Sequence, residues 1–410
     1  MQESRSIEKI VAPERESTAV SPPGRFSLGY RVRRKLRRWT NELRAQAAER
    51  AKAPLLLSAP VHLNLNHTTI CNLRCTMCEQ GLGGVPQRVM ERGVYRRVRD
   101  ELFDSVSEVS LTVMGDPFCA PKDFLDELWS DIERYDLRLE ITTNALLLGD
   151  EAELERLLRL LRRIVISIDG ATRETYERIR KPAKWARLCE NVERLFKVRR
   201  SLPPWRRPVV HFNFVVMRSN YEELPDLVDL VARWGGNSVS GALLIAVDPA
   251  IAHEALDERD EHLRDVVAEA RRRSVRHGIG FGVGGAKSDL AFDRRGASSG
   301  ARERIVRIRS ALRPGIALGA NYFIERIGRR WNRAPRECPF LWSKIYVELD
   351  GTVGTCCHPR FYLTGDLKRD SMRDIWNGRR YRGLRASLNS EHPAASCRDC
   401  HLLKRQSPKH

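Results

Sequence analysis

From about residue 61 the chain alternates short apolar runs with stretches whose apolar residues recur at steps of three and four. The runs Val61–Leu65, Glu108–Val113, Arg138–Thr142, Ile164–Ile168, Val209–Val216 and Val239–Ile245 read as buried strands. Between them, Gly93–Phe103, Asp123–Tyr135, Glu151–Leu161, Trp185–Arg199 and Tyr221–Trp234 carry helical periodicity, and Leu263–His277 adds a further helix. Alternation at this spacing predicts a parallel sheet with right-handed crossovers. Six units are too few to close an eight-stranded barrel. The expected fold is therefore α/β, a partial (β/α)6 TIM-like barrel over residues 59–285. The glycines at its end (Gly278, Gly280, Gly282, Gly284 and Gly285) form no Walker or dinucleotide fingerprint and are read as a structural turn.

Residues 1–24 show no periodicity and are interrupted by Pro13, Pro22, Pro23 and Gly24, so a disordered tail without a signal peptide is expected. Residues 25–58 read as a helical extension in which Leu28, Val32, Leu36, Trp39 and Leu43 share one face. Residues 286–336 form a second connecting segment, 337–403 a small Cys-containing domain, and 404–410 a tail. No apolar run reaches the roughly 18 residues of a membrane span, so a cytoplasmic protein is expected.

Charge changes the picture in two places. The chain carries a net +19, of which residues 25–52 contribute +8 and residues 286–336 contribute +9. A field so localised suits an anionic partner: a phosphorylated small molecule, a lipid phosphate or an acidic membrane surface at the inner face. Ordinary solvated arginine faces on packed helices explain the same residues. Nucleic acid is not expected, because no RNA-binding signature accompanies the charge.

Ten cysteines in a chain expected to remain in a reducing compartment point to metal or catalysis rather than disulfides. Cys71, Cys75 and Cys78 follow the first strand with C-x3-C-x2-C spacing. One short loop with that spacing can place three thiolates on three irons of a cubane. A [4Fe–4S] cluster ordinarily takes four Cys ligands, so three leave one iron open to a further ligand. A zinc knuckle is the alternative for this spacing alone.

Here the chain resembles the radical S-adenosylmethionine (SAM) superfamily, and further motifs match in order. Met114-Gly115-Asp116-Pro117 ends the second strand, where the family carries a Gly-Glu-Pro type motif at the SAM amino group; Asp replaces Glu here. Thr142-Thr143-Asn144, Ser167-Ile168-Asp169-Gly170 and Asn213 through Met217 end the next three strands. The resemblance implies that Gly115, Asp116, Pro117, Thr143, Asn144, Ser167, Asp169 and Met217 surround SAM, with Met77 against adenine. It also implies a mechanism: one electron from the cluster splits SAM into methionine and a 5′-deoxyadenosyl radical, which abstracts hydrogen from a substrate. All these positions lie at C-terminal strand ends, the face where parallel α/β barrels place their sites. Ser167 and Asp169 taken singly could equally be helix caps.

Near the C-terminus, Cys338 and Cys356 frame Gly351, and Cys397 and Cys400 follow after Trp376-Asn377 and Leu384-Arg385. This resembles the SPASM and twitch domains, and implies one auxiliary [4Fe–4S] cluster on Cys338, Cys356, Cys397 and Cys400. A zinc ribbon is the alternative for two cysteine pairs. Cys357 is a candidate hydrogen-atom donor or a plain buried thiol, Cys119 a candidate neighbour of the site, and Cys189 a structural residue within a helix. The expected function is that of an oxidoreductase or epimerase acting on a small anionic substrate such as a sugar, a cyclitol or a lipid-linked phosphate. Flavodoxin or ferredoxin is the expected reducing partner. Two alternatives stay open: a peptide-modifying maturase, and a non-catalytic basic binding protein with zinc in its cysteine sites.

Overall fold

A computed structural model describes residues 28–111, 114–246, 248–257, 259–284, 338, 340–356, 363–388, 390, 392–398 and 400. The expectations placed on residues 1–24, 286–336 and 404–410 and on Cys357 lie outside the described residues.

The six predicted strands are present as β1 (His62–Leu65), β3 (Glu108–Leu111), β4 (Arg138–Thr143), β5 (Leu161–Ser167), β7 (Val209–Val216) and β8 (Ser238–Leu243). They are parallel neighbours in that order. The crossovers are α2 (Arg92–Leu102), α3 (Lys122–Arg134), α4 (Glu151–Leu160), α6 (Trp185–Ser201) and α7 (Leu224–Trp234). Each crossover helix buries an apolar stripe, such as Val94, Tyr95, Val98 and Leu102 in α2. Their ends follow local chemistry. Asp150 caps α4 by accepting from Glu153 N–H, and α7 stops at Gly235, whose φ of 90° places it in the left-handed region.

The glycine-rich stretch read as a turn is instead a strand. β9 (Gly280–Gly284) pairs in parallel with β8 and follows α8 (Glu261–His277). Phe281 and Val283 alternate with the glycines and are buried, so the two apolar residues supply the core face. A Cβ on Gly241 of β8 would lie 2.8 Å from Val216 and 3.0 Å from Val283, so the strands pack too closely there for a side chain.

The C-terminal segment also joins this sheet rather than standing apart. β10 (Lys344–Val347) pairs in parallel with β1, and β11 (Thr352–Gly354) and β12 (Leu363–Asp366) extend the edge antiparallel. The motif residues of this segment act as a clasp on residues 53–58. Trp376 Nε1 donates to Ser58 O at 2.9 Å, Trp342 Nε1 to Ala53 O at 2.9 Å, and Asn377 exchanges two 2.9 Å hydrogen bonds with Leu56. Arg385, 1% exposed, donates to Leu341 O, Trp376 O and Pro54 O and lies over the Trp376 and Tyr381 rings. Helices α9 (Met372–Trp376), α10 (Arg379–Ser387) and α11 (Ala395–Arg398) complete the segment.

The predicted N-terminal helix is α1 (Leu28–Arg50), but its packing face is not the apolar one. Arg38 donates to Phe103 O at 2.7 Å and Asp136 O at 3.0 Å, and Arg34 to Arg134 O at 3.2 Å. These carbonyls lie at or just past the C-terminal ends of α2 and α3. Cations there satisfy orphan acceptors and meet the negative end of each helix dipole. Among the described residues no helix is long and apolar enough to cross a membrane.

Arg385→Ala removes three carbonyl partners from a buried position and is expected to lower unfolding stability by about 3 kcal/mol. Arg379→Ala, on the exposed side of α10, should stay within about 0.5 kcal/mol in the same denaturant titration.

Candidate active site

The loop after β1 carries Cys71, Cys75 and Cys78 across the C-terminal mouth of the sheet. Its shape is held by backbone pairing: β2 (Arg74–Cys75) lies antiparallel to β6 (Arg180–Lys181), the latter following α5 (Arg173–Ile179). Thr76 N–H donates to Ile179 O at 3.0 Å, and Gly81 N–H to Cys78 O at 2.8 Å. A Cβ on Gly81 would sit 2.0 Å from Cys75 O, so only glycine lets the chain fold back over Cys75. Gln80 donates to Thr69 O at 2.6 Å and accepts from Gln87 at 2.5 Å, while Gln87 accepts from Cys71 N–H.

All three thiols are free, with Cys75 buried and Cys71 and Cys78 partly so. Burial pushes Cys75 up to about 12 and raises Cys71 as well, and the neighbouring cysteines add to both shifts. The three sulfurs are thus close enough to feel one another's charge. A bound cation would reverse this by stabilising the thiolates. Among the described residues no three His, Cys, Asp or Glu side chains converge as a single metal ion would need. Three soft donors spread along one loop fit a multi-iron cluster.

The Gly-Asp-Pro turn is locked to this loop. Gly115 has φ 66°, and a Cβ on it would meet Ile70 O at 2.6 Å and Thr68 O at 2.9 Å. Asp116 N–H donates to Ile70 O at 2.8 Å. The Asp116 carboxylate accepts from Thr143 Oγ1 and Asn144 N–H, each at 2.8 Å, and from Phe118 N–H at 3.1 Å. Asp116 therefore ties the ends of β1, β3 and β4 together. Pro117 O is 3.2 Å from His67 Nε2, and Asn144 Nδ2 donates to Asn72 at 2.8 Å and lies 4.0 Å from Cys71 Sγ. Cys119 Sγ lies 3.7 Å from Asn72 Oδ1, which places it against the loop; burial raises it to about 12.

Ser167 ends β5 half-buried, its hydroxyl without a protein partner among the described residues. Asp169, two residues on, is fully buried: one oxygen accepts from Val215 N–H at 2.7 Å and the other lies 2.6 Å from Arg180 Nη2. Burial works against the Arg180 charge, but Asp169 outweighs it and holds the guanidinium above its ordinary value. Met77 is half-buried, and Met217 is buried where Asn220 Oδ1 accepts its N–H at 2.8 Å.

The structure thus gathers Cys71, Cys75, Cys78, Gly115, Asp116, Thr143 and Asn144 through direct contacts, and gives Asp169 an interior role. Sequence reading missed Arg180, Asn220 and Glu223. Glu223 accepts from Ala171 N–H at 2.5 Å and from the Thr172 hydroxyl at 2.9 Å, fixing the turn after Asp169. Arg180 lies eleven residues beyond Asp169 in the chain, and only the fold shows which carboxylate it meets.

Cys338, Cys356, Cys397 and Cys400 are all partly buried. Burial pushes Cys338 up to about 11, with Cys397 and Cys356 adding to the rise. Cys189 sits in α6, half-buried.

Residues 65–231 match the family model of the Radical SAM superfamily, and residues 338–401 that of SPASM, an iron-sulfur cluster-binding domain. The chain is 20% identical to the tungsten-containing aldehyde ferredoxin oxidoreductase cofactor-modifying protein of Pyrococcus furiosus, over 83% of the chain and 87% of that protein. It is 27% identical to a probable GTP 3',8-cyclase of Saccharolobus islandicus, over 53% of the chain and 67% of that protein. In fold it is similar to Streptococcus suis SuiB bound to the precursor peptide SuiA, with TM-score 0.54, 16% identity and coverage of 97% and 79% of the two chains. It is also similar to anSMEcpe with bound AdoMet and Kp18Cys peptide, with TM-score 0.53, 15% identity and coverage of 84% and 88%.

His67 beside the site is buried and His211 in β7 half-buried, and desolvation lowers each to about 4. Each stays neutral when folded but binds a proton when unfolded below about pH 6.5. Their contribution is present above that pH and is lost as pH falls towards 4. For His67 the loss should be about 3 kcal/mol, read as a falling urea midpoint between pH 7 and 4 that flattens in His67→Gln.

Proposed function

Because this chain is a radical SAM enzyme with a C-terminal SPASM domain, we propose that it removes hydrogen from a substrate held at the C-terminal mouth of the partial barrel. Its cofactors are a SAM-binding [4Fe–4S] cluster, SAM and an auxiliary iron–sulfur cluster in the SPASM domain. The observation that carries the reading is the loop with Cys71, Cys75 and Cys78 at the end of β1, hydrogen-bonded to the Gly115–Asp116 turn.

In this reading Cys71, Cys75 and Cys78 hold the SAM-binding cluster, and Cys338, Cys356, Cys397 and Cys400 the auxiliary one. When bound, the cluster and SAM together supply one-electron hydrogen abstraction. The protein's part is to position and to exclude water. Gly115, with no side chain, lets its turn pack directly against the backbone of the cysteine loop. Asp116 keeps Thr143 and Asn144 fixed at the next strand end, and Pro117 completes that turn. The Ser167 hydroxyl is free to bind a polar group, whereas Asp169 positions the loop through Arg180. Met77, half-buried, offers apolar surface to a nucleobase, with the buried Met217 as apolar packing at the end of β7. Reducing equivalents would come from a flavodoxin- or ferredoxin-type protein.

For the substrate the first reading is a small anionic molecule, a sugar, cyclitol or lipid-linked phosphate, undergoing oxidation or epimerisation. The net +9 of residues 286–336 supports it. The second reading is a peptide, supported by the likeness in fold to two proteins whose structures hold peptides.

Anaerobically reconstituted protein should contain about eight irons per chain, falling to about four in Cys397→Ala/Cys400→Ala. With reductant it should release 5′-deoxyadenosine from SAM, and Cys75→Ala should release none; equal release by that variant contradicts the assignment. Deuterium reaching 5′-deoxyadenosine from a labelled peptide, and not from labelled phosphosugars, would put the second reading in place of the first.

A further inference from the structure

Helix α1 is built inside out. Its inward face is largely polar: Arg34 and Arg38 are 5% and 7% exposed, Asn41 exchanges hydrogen bonds with Ala59 at 2.8 and 3.1 Å, and the apolar side chain among them is the small Ala45, 3% exposed. Its outward face is apolar: Val32, Leu36, Trp39 and Leu43 are 50%, 55%, 58% and 45% exposed. At about 100° per residue these four fall in one row, on the side of the helix opposite Arg34, Arg38 and Asn41. A single exposed apolar side chain is ordinary, but an aligned row is not. Leu57, 86% exposed, lies two residues before the Ala59 contact that returns the chain to α1.

The row is bordered by cations. Arg33, Arg37 and Arg44 lie along one side and Lys35 along the other, all exposed. Of these, Lys35 meets a carboxylate, Asp136, at 3.1 Å, with both groups largely in water. Glu42, the acid nearest the row, is turned to Arg138 at 3.6 Å. An apolar stripe flanked by arginine is the composition that inserts at a lipid–water boundary, with the aliphatic and indole groups entering the acyl edge and the guanidinium groups meeting phosphate.

We propose that α1 docks the enzyme on an anionic phospholipid surface through Val32, Leu36, Trp39 and Leu43, with Arg33, Lys35, Arg37 and Arg44 engaging the headgroups. Charge argues against the chain's own residues 286–336 as the occupant, because that segment carries +9 and would meet a cationic border. The geometry also sets orientation. The groups that receive Arg34, Arg38 and Asn41 stand at helix C-terminal ends and just before strands, the face opposite the cysteine loop. Docking on α1 leaves the mouth towards water, so a substrate would enter from the aqueous side. The inference is independent of the radical chemistry, since binding is read without turnover.

The test is flotation of the reconstituted full-length chain with phosphatidylcholine vesicles, with and without phosphatidylglycerol. Wild type should float with the anionic vesicles, and Leu36→Glu/Trp39→Glu should reduce the floated fraction by about tenfold or more. Because both residues are exposed, its melting temperature should match wild type. Arg33→Glu/Arg37→Glu/Arg44→Glu provides a second variant with the same expected loss. No flotation of wild type, equal flotation on neutral vesicles, or undiminished flotation of both variants would overturn the proposal. So would a concentration-dependent dimer that Leu36→Glu/Trp39→Glu dissolves, which would make a second copy the occupant.

Discussion

The ion pair between Asp169 and Arg180 is the joint on which the mouth of this barrel depends. Both groups are removed from water, and a buried pair is a risk as well as a restraint: loss of one partner leaves a naked charge at a cost of about 3–5 kcal/mol. Asp169 is anchored at its other oxygen by Val215 N–H, so the pair is referred to two adjacent strands, β5 and β7. Arg180 in turn is the residue whose backbone pairs with Cys75. The position of the cysteine loop is therefore defined by the sheet itself and not by the loop's own preferences.

The second anchor is steric. Gly115 and Gly81 each sit where a side chain would strike backbone, at Ile70 and Cys75 respectively. With Asp116 drawing Thr143 and Asn144 to the same point, the ends of β1, β3 and β4 and the loop form one braced ring. Such bracing suits a site that must hold a reactive group in one orientation without rearranging as charge develops. The C-terminal segment extends that logic by adding β10 beside β1, which makes the SPASM region an edge of the catalytic sheet.

Much of this was legible beforehand, for physical reasons. Strands in a covered sheet carry apolar residues at adjacent positions, as Ile164, Val165 and Ile166 in β5, or at alternate ones, as Leu63 and Leu65 in β1 and Val210, Phe212, Phe214 and Val216 in β7. C-x3-C-x2-C has few other uses in a βα repeat. β9 was not legible, because only Phe281 and Val283 carry its apolar signal and its glycines imitate a turn. The inversion of α1 was equally hidden. Periodicity locates an apolar face but does not say whether that face is covered, and Arg34 and Arg38 find their partners only after α2 and α3 fold. The Arg180 partnership, which joins residues eleven apart across a helix, needed coordinates for the same reason.

The most direct measurement is amide hydrogen exchange on Asp169→Asn beside wild type, with iron analysis of the same samples. The substitution keeps the shape of the side chain but removes the charge facing Arg180. Exchange at Thr76, whose N–H reaches Ile179 O, should accelerate by at least about tenfold, while strand β4 remains protected and iron at the first cluster is lost. Unchanged protection at Thr76 together with full iron content would mean that the cysteine loop stands without this ion pair, and would contradict the account.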